Sequence, residues 1–430
     1  MRKYWKSVVA VLVIISGIGT YYMQSVISAW SLPDFEIKTI EGDEKLIENL
    51  VLFGIYDKSS EIEYNPEKYY EYDPRQYLSI TKDGSIYRDS ISYLDNLKGT
   101  PNTRIRVLRD QYGDFFRGVS FWNDSIYEDE KYLVAAELNY TRNYGRYESL
   151  KVKFLNKETK ETYTITEKLR LNEHIMIEDV QMNDEEILVF TKSWLFDAEN
   201  DVHRDFISVY RFNINDKKLI SIDELFVNES DLNDLDINLD YTFLVDSKSW
   251  SPNDYVVVRK FGINKNVEDV IFEDEDENVN NHNKDERVIE EEVNELYAYN
   301  VATHEVKQII LPDTVDHTFV SFIDGKNLYF ASEEPNSIKI SIYNIHEEKI
   351  INEINIDYVK FPLKDGSSLV PSIRIDNGYI YVKEVFVSNN ADSTLRVFDA
   401  ATGDIVYKGE IVSNSKEDFV IEIYNMDFIK

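Results

Sequence analysis

The sequence predicts an all-β chain of β-propeller type, with six to eight blades, carried behind a single N-terminal transmembrane helix. Three observations predict it. Apolar and polar residues alternate with period two from Phe35 onward, a hairpin pattern recurs five times, and an uncharged stretch of membrane-crossing length opens the chain.

The uncharged stretch is residues 7–33, preceded by Arg2, Lys3 and Lys6. Ser7 to Trp30 is about 24 residues, roughly 36 Å as a helix, against a hydrocarbon core of about 30 Å. Tyr21, Tyr22 and Trp30 stand where interfacial aromatics would. The basic tip keeps the N-terminus cytoplasmic, which makes residues 1–33 a single-pass anchor in the cell membrane and puts residues 34–430 outside. The rival reading is a secretory signal cleaved before Ala29, with Val26 and Ser28 as the small-residue site and a secreted product. The length of the uncharged stretch favours the anchor.

Composition narrows the body. The 430 residues hold 47 Lys and Arg against 80 Asp and Glu, a net charge of −33, and no Cys. Without Cys there is no disulfide framework, thiolate nucleophile or thiolate metal site. The acidity argues against nucleic acid, whose phosphates are bound by a surplus of Lys and Arg. Hydrophobic residues make up 43%, ample for a core, so acidity does not mean disorder.

The recurring hairpin is a strand that ends on Asn or Asp, then a polar turn and a second strand. It reads KVKFLNKETKETYTI from Lys151, SVYRFNINDKKLISI from Ser208, ELYAYNVATHEVKQI from Glu295, KISIYNIHEEKIINEI from Lys339 and LRVFDAATGDIVYKG from Leu395. With only 15 Gly, the turns rely on Asn156, Asn213, Asn300, Asn344 and Asp399, which tolerate left-handed geometry. Ahead of each hairpin lies another strand introduced by a turn, at Glu128, Met182, Trp250, Ile323 and Ile375. Four short strands per repeat of roughly 40–50 residues is the period of propeller blades, since one blade alone cannot bury both its faces. Helix is expected only in short pieces, around Ile222–Asp234 and Pro66–Tyr72.

Trp250-Ser251-Pro252-Asn253-Asp254, followed by the strand to Val258, resembles the Trp-Ser-Pro-Asp-Gly repeat of the Tol-system periplasmic protein and of prolyl-oligopeptidase-type propellers. It covers one repeat of about ten residues, with Asn-Asp in place of Asp-Gly. The resemblance implies a propeller and no activity, and the chain has no residues left over for the peptidases' hydrolase domain.

Residues 264–295 break the composition with dense acid and few strand formers, and are read as an acidic loop inserted between two strands of one blade. Asn228–Asp240 reads as a smaller polar insert. Within the larger one, Asp274, Asp276, Asn278 and Asn280 alternate oxygen-bearing side chains, with Asp285 as a distal ligand, the arrangement of a calcium loop. Val279 replaces the Gly that an EF-hand loop needs for its turn, so a solvated acidic loop is the competing reading. Asp234, Asp236, Asn238 and Asp240 form a second alternation. No other cofactor is expected.

His174, His203, His282, His304, His317 and His346 lack metal-ligand spacing and read as surface or turn residues. No nucleophile elbow or phosphate loop is present. Tyr64, Tyr69, Tyr70, Tyr72 and Tyr77 form an aromatic cluster of the kind that stacks on sugars or peptides. The function expected is a non-catalytic, membrane-anchored extracytoplasmic binding or sensing module. Its partner would be an envelope protein, peptide or glycan, with membrane contact through residues 7–30. The alternative is an extracytoplasmic hydrolase or lyase that uses acids at a propeller channel.

Overall fold

The computed structural model describes residues 16, 32–57, 76–88, 103–117, 125–141, 146–169, 173–197, 202–231, 237–244, 252–264, 291–312, 321–335, 337–358, 361–362, 368–369, 371–383, 386–388, 394–414 and 420–429. Except for Ser16, the anchor expected at residues 7–30 lies outside this set. Among the described residues no helix is long and apolar enough to cross a membrane.

The body is all-β. Among the described residues there are six antiparallel sheets of four or five strands; four are simple meanders with the strand order of a propeller blade, and the other two add strands remote in sequence. The second sheet runs Ile126–Glu128, Tyr132–Thr141, Arg146–Asn156 and Thr162–Lys168. The third is Glu173–Met182, Glu186–Asp197, Val202–Asn213 and Lys218–Asp231. The fourth is Ile237–Phe243, Tyr255–Asn264, Glu291–Asn300 and Val306–Ile309. The fifth is Ser321–Asp324, Asn327–Glu333, Ser337–Asn344 and Lys349–Asp357.

The first and sixth sheets exchange the chain's two ends. Leu50–Asp57, Gln76–Thr81 and Gly84–Tyr87 make the first sheet, and Val420–Phe428 pairs with Leu50–Asp57 from the other end of the chain. Ser372–Asp376, Tyr379–Lys383, Thr394–Asp399 and Ile405–Ser413 make the sixth, and its free edge is taken by Phe35–Gly42. Both edges are thereby covered by strands remote in sequence.

The chain divides into two compact units, Met1–Gly113 with Glu333–Ile338 and Ile354–Lys430, and Asp114–Ser332 with Lys339–Glu353. In the first unit, Phe35, Ile37, Leu52, Ile80, Tyr381, Leu395 and Tyr407 share one core. In the second unit, the strand from Glu186 shows why both strand faces are apolar. Ile187 and Val189 pack with Val134 and Val152 of the second sheet, while Leu188 and Phe190 pack with Val256 and Val258 of the fourth. The strand from Tyr255 repeats this, with Val256 and Val258 turned to the third sheet and Tyr255 and Val257 to Leu328 and Phe330 of the fifth. Each such side chain taken out of water contributes about 2 kcal/mol.

The five hairpin turns follow one rule. Asn156 Oδ1 accepts from the N–H groups of Glu158 and Thr159, and Asn300, Asn344, Asn213 and Asp399 each cap their own turns in the same way. Four residues on, the backbone enters the left-handed region, at Lys160 (φ 62°), Lys217 (53°), His304 (64°), Glu348 (55°) and Gly403 (78°). Four of the five positions carry a side chain at some conformational cost. Lys160→Gly is therefore expected to raise unfolding stability by about 0.5–1 kcal/mol, read from denaturant midpoints with an unchanged slope.

The turns also set the spacing between sheets in the second unit. The residue after the turn Asn offers its carbonyl to the preceding sheet. Ile214 O accepts from Tyr163 Oη at 3.1 Å, Val301 O from Asn183 Nδ2 at 3.4 Å and Ile345 O from Lys307 Nζ at 2.6 Å. One sheet-to-sheet relation therefore recurs three times. Asn253, from the Trp-Ser-Pro motif, is buried and joins the third, fourth and fifth sheets. Its N–H donates to Gln181 Oε1 at 3.0 Å, and its Oδ1 accepts from Gly325 N at 3.2 Å.

Several expectations are corrected. The helix expected at Ile222–Asp234 is the strand Lys218–Asp231. Asn228–Asp231 and Ile237–Asp240 belong to strands rather than to a polar insert. Pro66–Tyr72 lies outside the described residues. An eight-residue helix, α1 (Arg104–Gln111), stands where none was expected, capped by Thr103 Oγ1 on Arg106 N. Of the expected insertion 264–295, residues 265–290 lie outside the described set, and its flanks Tyr255–Asn264 and Glu291–Asn300 pair with each other.

Candidate functional site

Two constellations stand out, one in each unit. The first is an exposed aromatic face on the first sheet. Tyr77, Ile86 and Tyr424 are 40%, 39% and 51% exposed. The Tyr77 and Tyr424 rings meet edge to face at 6.4 Å, and the Arg88 guanidinium lies 5.9 Å from the Tyr77 centroid. Strand register explains the grouping. Tyr77 follows Gln76 in a strand that pairs with Gly84–Tyr87, which brings Arg88 alongside it. Tyr424 is the extra residue of a bulge, because Ile423 pairs with Gly54 while Asn425 pairs with Phe53. A bulge re-aims the side chain it carries. Burial against this patch raises the Tyr424 phenol, partly opposed by Arg88. Among the described residues Arg88 has no carboxylate partner, in a chain of 80 acids.

The second constellation is a polar cluster where the third and fourth sheets meet. Arg211 grips Glu186 with Nε and Nη2, both at 3.0 Å, and reaches Asp223 with Nη1 at 3.4 Å. Ser221 Oγ donates to Asp223 at 3.2 Å. From the fourth sheet, His304 Nε2 lies 3.3 Å from Glu186 Oε2 and 3.2 Å from Asn183 Nδ2. Tyr299 stacks against His304 and meets Phe190 edge to face. Among the described residues its buried hydroxyl has no hydrogen-bond partner, and burial pushes it up to about 12. Burial, then Arg211, hold the imidazole of His304 below its ordinary value.

The calcium candidates Asp274, Asp276, Asn278, Asn280 and Asp285 lie outside the described residues, as do Asp234 and Asp236. Asp240 is an ion-pair partner, 2.6 Å from Lys192 Nζ. Among the described residues no cluster of His and carboxylates could hold a metal. His174 stacks on Trp194 and His346 is exposed, whereas His282 and His317 are outside the set. Of the tyrosine cluster, Tyr77 alone is described, and the fold gives it Tyr424 as a neighbour. Sequence reasoning missed Arg88, Tyr424, Glu186 and Arg211. His304, read only as a surface or turn residue, could have been singled out by the turn register, which puts it in the slot that holds Lys160, Lys217 and Glu348 elsewhere.

No family model matches this chain, and no curated protein matches it. Solved structures give distant likenesses. The β-propeller domain of the Trilobed protease from Pyrococcus furiosus aligns over 80% of this chain and 88% of its own, at 10% identity and a TM-score of 0.31. An ACO/RPE65 chimera aligns over 89% and 94%, at 9% and 0.36. A prolyl endopeptidase aligns over 80% of this chain at 10% identity and 0.29, and this chain spans about half of that protein's length. At these identities and TM-scores the likenesses carry no function across.

Proposed function

We propose that this chain is a non-catalytic binding module, held at the outer face of a membrane by residues 7–30, that presents a blade-built scaffold to an envelope protein, peptide or glycan. The observation that supports this reading is the exposed Tyr77–Tyr424–Arg88 face. Two aromatic rings and a guanidinium offer stacking area and donors together, the combination that recognises sugars and extended peptides. The sheet beneath is pinned by the strand Val420–Phe428, so Tyr77 sits on paired backbone and Tyr424 on a bulge flanked by paired residues, rather than on a loop. The body's net negative charge steers cationic partners toward it and keeps it off anionic surfaces. The alternative, acid–base catalysis, is opposed at the polar cluster by the double Arg211 contact, which holds the Glu186 carboxylate in an ion pair.

The full-length protein, probed on glycan and peptide arrays, is expected to bind a defined class. Tyr77→Ala and Tyr424→Ala should each weaken that binding about tenfold or more while leaving the melting temperature within about 2 °C. Binding unaffected by both substitutions would overturn the assignment of the site. Membrane fractionation with external protease tests the topology: residues 34–430 should be cleaved from intact cells.

A further inference from the structure

We propose that the contact between Asn183 and His304 is a proton-operated latch between the third and fourth sheets, closed with a neutral imidazole and opened by its protonation. The argument starts with an amide whose orientation is fixed. Asn183 Oδ1 accepts from the N–H groups of Glu185 at 3.1 Å and Glu186 at 2.9 Å, so a flipped amide would set donors against donors. Nδ2 must therefore face the fourth sheet, where one hydrogen goes to Val301 O and the other points at His304 Nε2, 3.2 Å away. The fixed amide calls for a lone pair on Nε2, against the pull of Glu186 Oε2 at 3.3 Å, and the latch is closed when the imidazole is neutral with its proton on Nδ1.

Protonation turns Nε2 into a donor facing a donor. The imidazolium then has one acceptor in reach, Glu186 Oε2 at 3.3 Å, which already receives Arg211 Nε at 3.0 Å. The groups that surround the ring decide how readily this happens. Glu186 and Asp223 on the third sheet favour the charge, while Arg211 and burial oppose it more strongly. Tyr299, behind the ring, is held neutral by burial, and Glu305, next in the turn, receives Thr303 Oγ1. The side chain of His304 is 22% exposed, enough to exchange its proton with water. Because folding holds the imidazole below its ordinary value, the contact is fully present above about pH 6.5 and is lost as pH falls through the folded-state value.

The position gives the latch leverage. His304 occupies the left-handed residue of the 300–305 hairpin, and its neighbour Val301 carries the recurring sheet-to-sheet carbonyl contact. Losing the imidazole contact therefore loosens that hairpin at its inter-sheet bond.

The test uses the purified full-length protein. After correction for intrinsic rates, hydrogen exchange of the Ala302–Glu305 amides should rise roughly fivefold between pH 7.5 and 5, the weight of one hydrogen bond. His304→Asn, whose side chain tolerates the left-handed backbone, should abolish that pH dependence. Asn183→Asp keeps the turn cap and presents a carboxylate to the ring, so its pH dependence should reverse in sign. An imidazole NMR titration of the unmodified protein reads the tautomer directly and does not depend on any variant folding. A proton on Nε2 at neutral pH, or equal pH dependence in the unmodified protein and His304→Asn, would overturn the proposal.

Discussion

Replacing Gly42 with alanine is expected to release the first strand from the sixth sheet and to lower unfolding stability by about 3 kcal/mol or more. Gly42 stands opposite Tyr407 with φ at +98°, a backbone conformation closed to most side chains. A Cβ there would lie 2.2 Å from Val406 O and 2.7 Å from Tyr407 Cα. Both are backbone atoms of the paired strand, so relief requires the strands to part rather than a rotamer to change. The consequence reaches beyond the pair, because Phe35 and Ile37 of the same strand are buried in the first unit's core. The strand's start is also sewn to the first sheet. Phe35 N donates to Ser85 Oγ at 3.1 Å, and Asp34 Oδ1 accepts from Ser85 N at 2.9 Å. Limited proteolysis should show new cleavage at Lys38 in the variant, together with a fall in melting temperature. Ile40→Ser is the control: Ile40 falls at a register shift in the same strand and is exposed, so it should change stability by less than about 0.5 kcal/mol. Equal stability of Gly42→Ala and the parent would mean that the terminal strand is not part of the cooperative unit.

Local chemistry was the legible part of this fold. The Asn and Asp positions of the five hairpins could be read from sequence because an Asx turn is closed by neighbours within three residues. The buried second strands could be read because contiguous runs such as Ile187–Phe190 leave no polar face. The segment from Ile222 imitates a helix, although it lies in the strand Lys218–Asp231, for a definite reason. Two bulges, at Ile220 and Leu225, each insert a residue into the ladder and break the alternation. The apolar residues Ile222, Leu225 and Phe226 then fall at three- and four-residue spacing, which imitates a helix face. The site was less legible. Tyr77 and Tyr424 are brought together only by the exchange of chain ends, which no local pattern encodes. Glu186 and Arg211 lie 25 residues apart, diagonal across a strand pair.

Alkaline unfolding should be steep and should begin near pH 10. Tyr87, Tyr127, Tyr329 and Tyr381 are buried, and burial raises each phenol well above its ordinary value of about 10. Tyr163, Tyr297 and Tyr299 are pushed up to about 12, again chiefly by burial. The sign follows from proton counting. Above pH 10 the unfolded chain loses phenol protons that the folded chain keeps, so stability is full below pH 10 and falls as pH rises toward the folded-state values. For Tyr299 alone the shift of about two pH units is worth about 3 kcal/mol. A handful of such groups exceeds the 5–15 kcal/mol that typically holds a domain together, so the fold should fail before the buried phenols titrate in place. Tyrosinate absorbance from these residues and loss of circular dichroism should then move together in one transition. Absorbance that rises well ahead of the dichroism would show that the phenols reach water in the native state. Tyr299→Phe and Tyr381→Phe separate the causes. The Tyr299 hydroxyl has no partner among the described residues, so its removal should stabilise the protein by up to about 1 kcal/mol and move the alkaline midpoint upward. Tyr381 donates to Leu46 O at 3.0 Å, so its removal should cost about 1 kcal/mol at neutral pH while still relieving the alkaline loss. Opposite effects of the two variants at pH 7, with the same direction above pH 10, would distinguish burial of the phenol from the loss of its hydrogen bond.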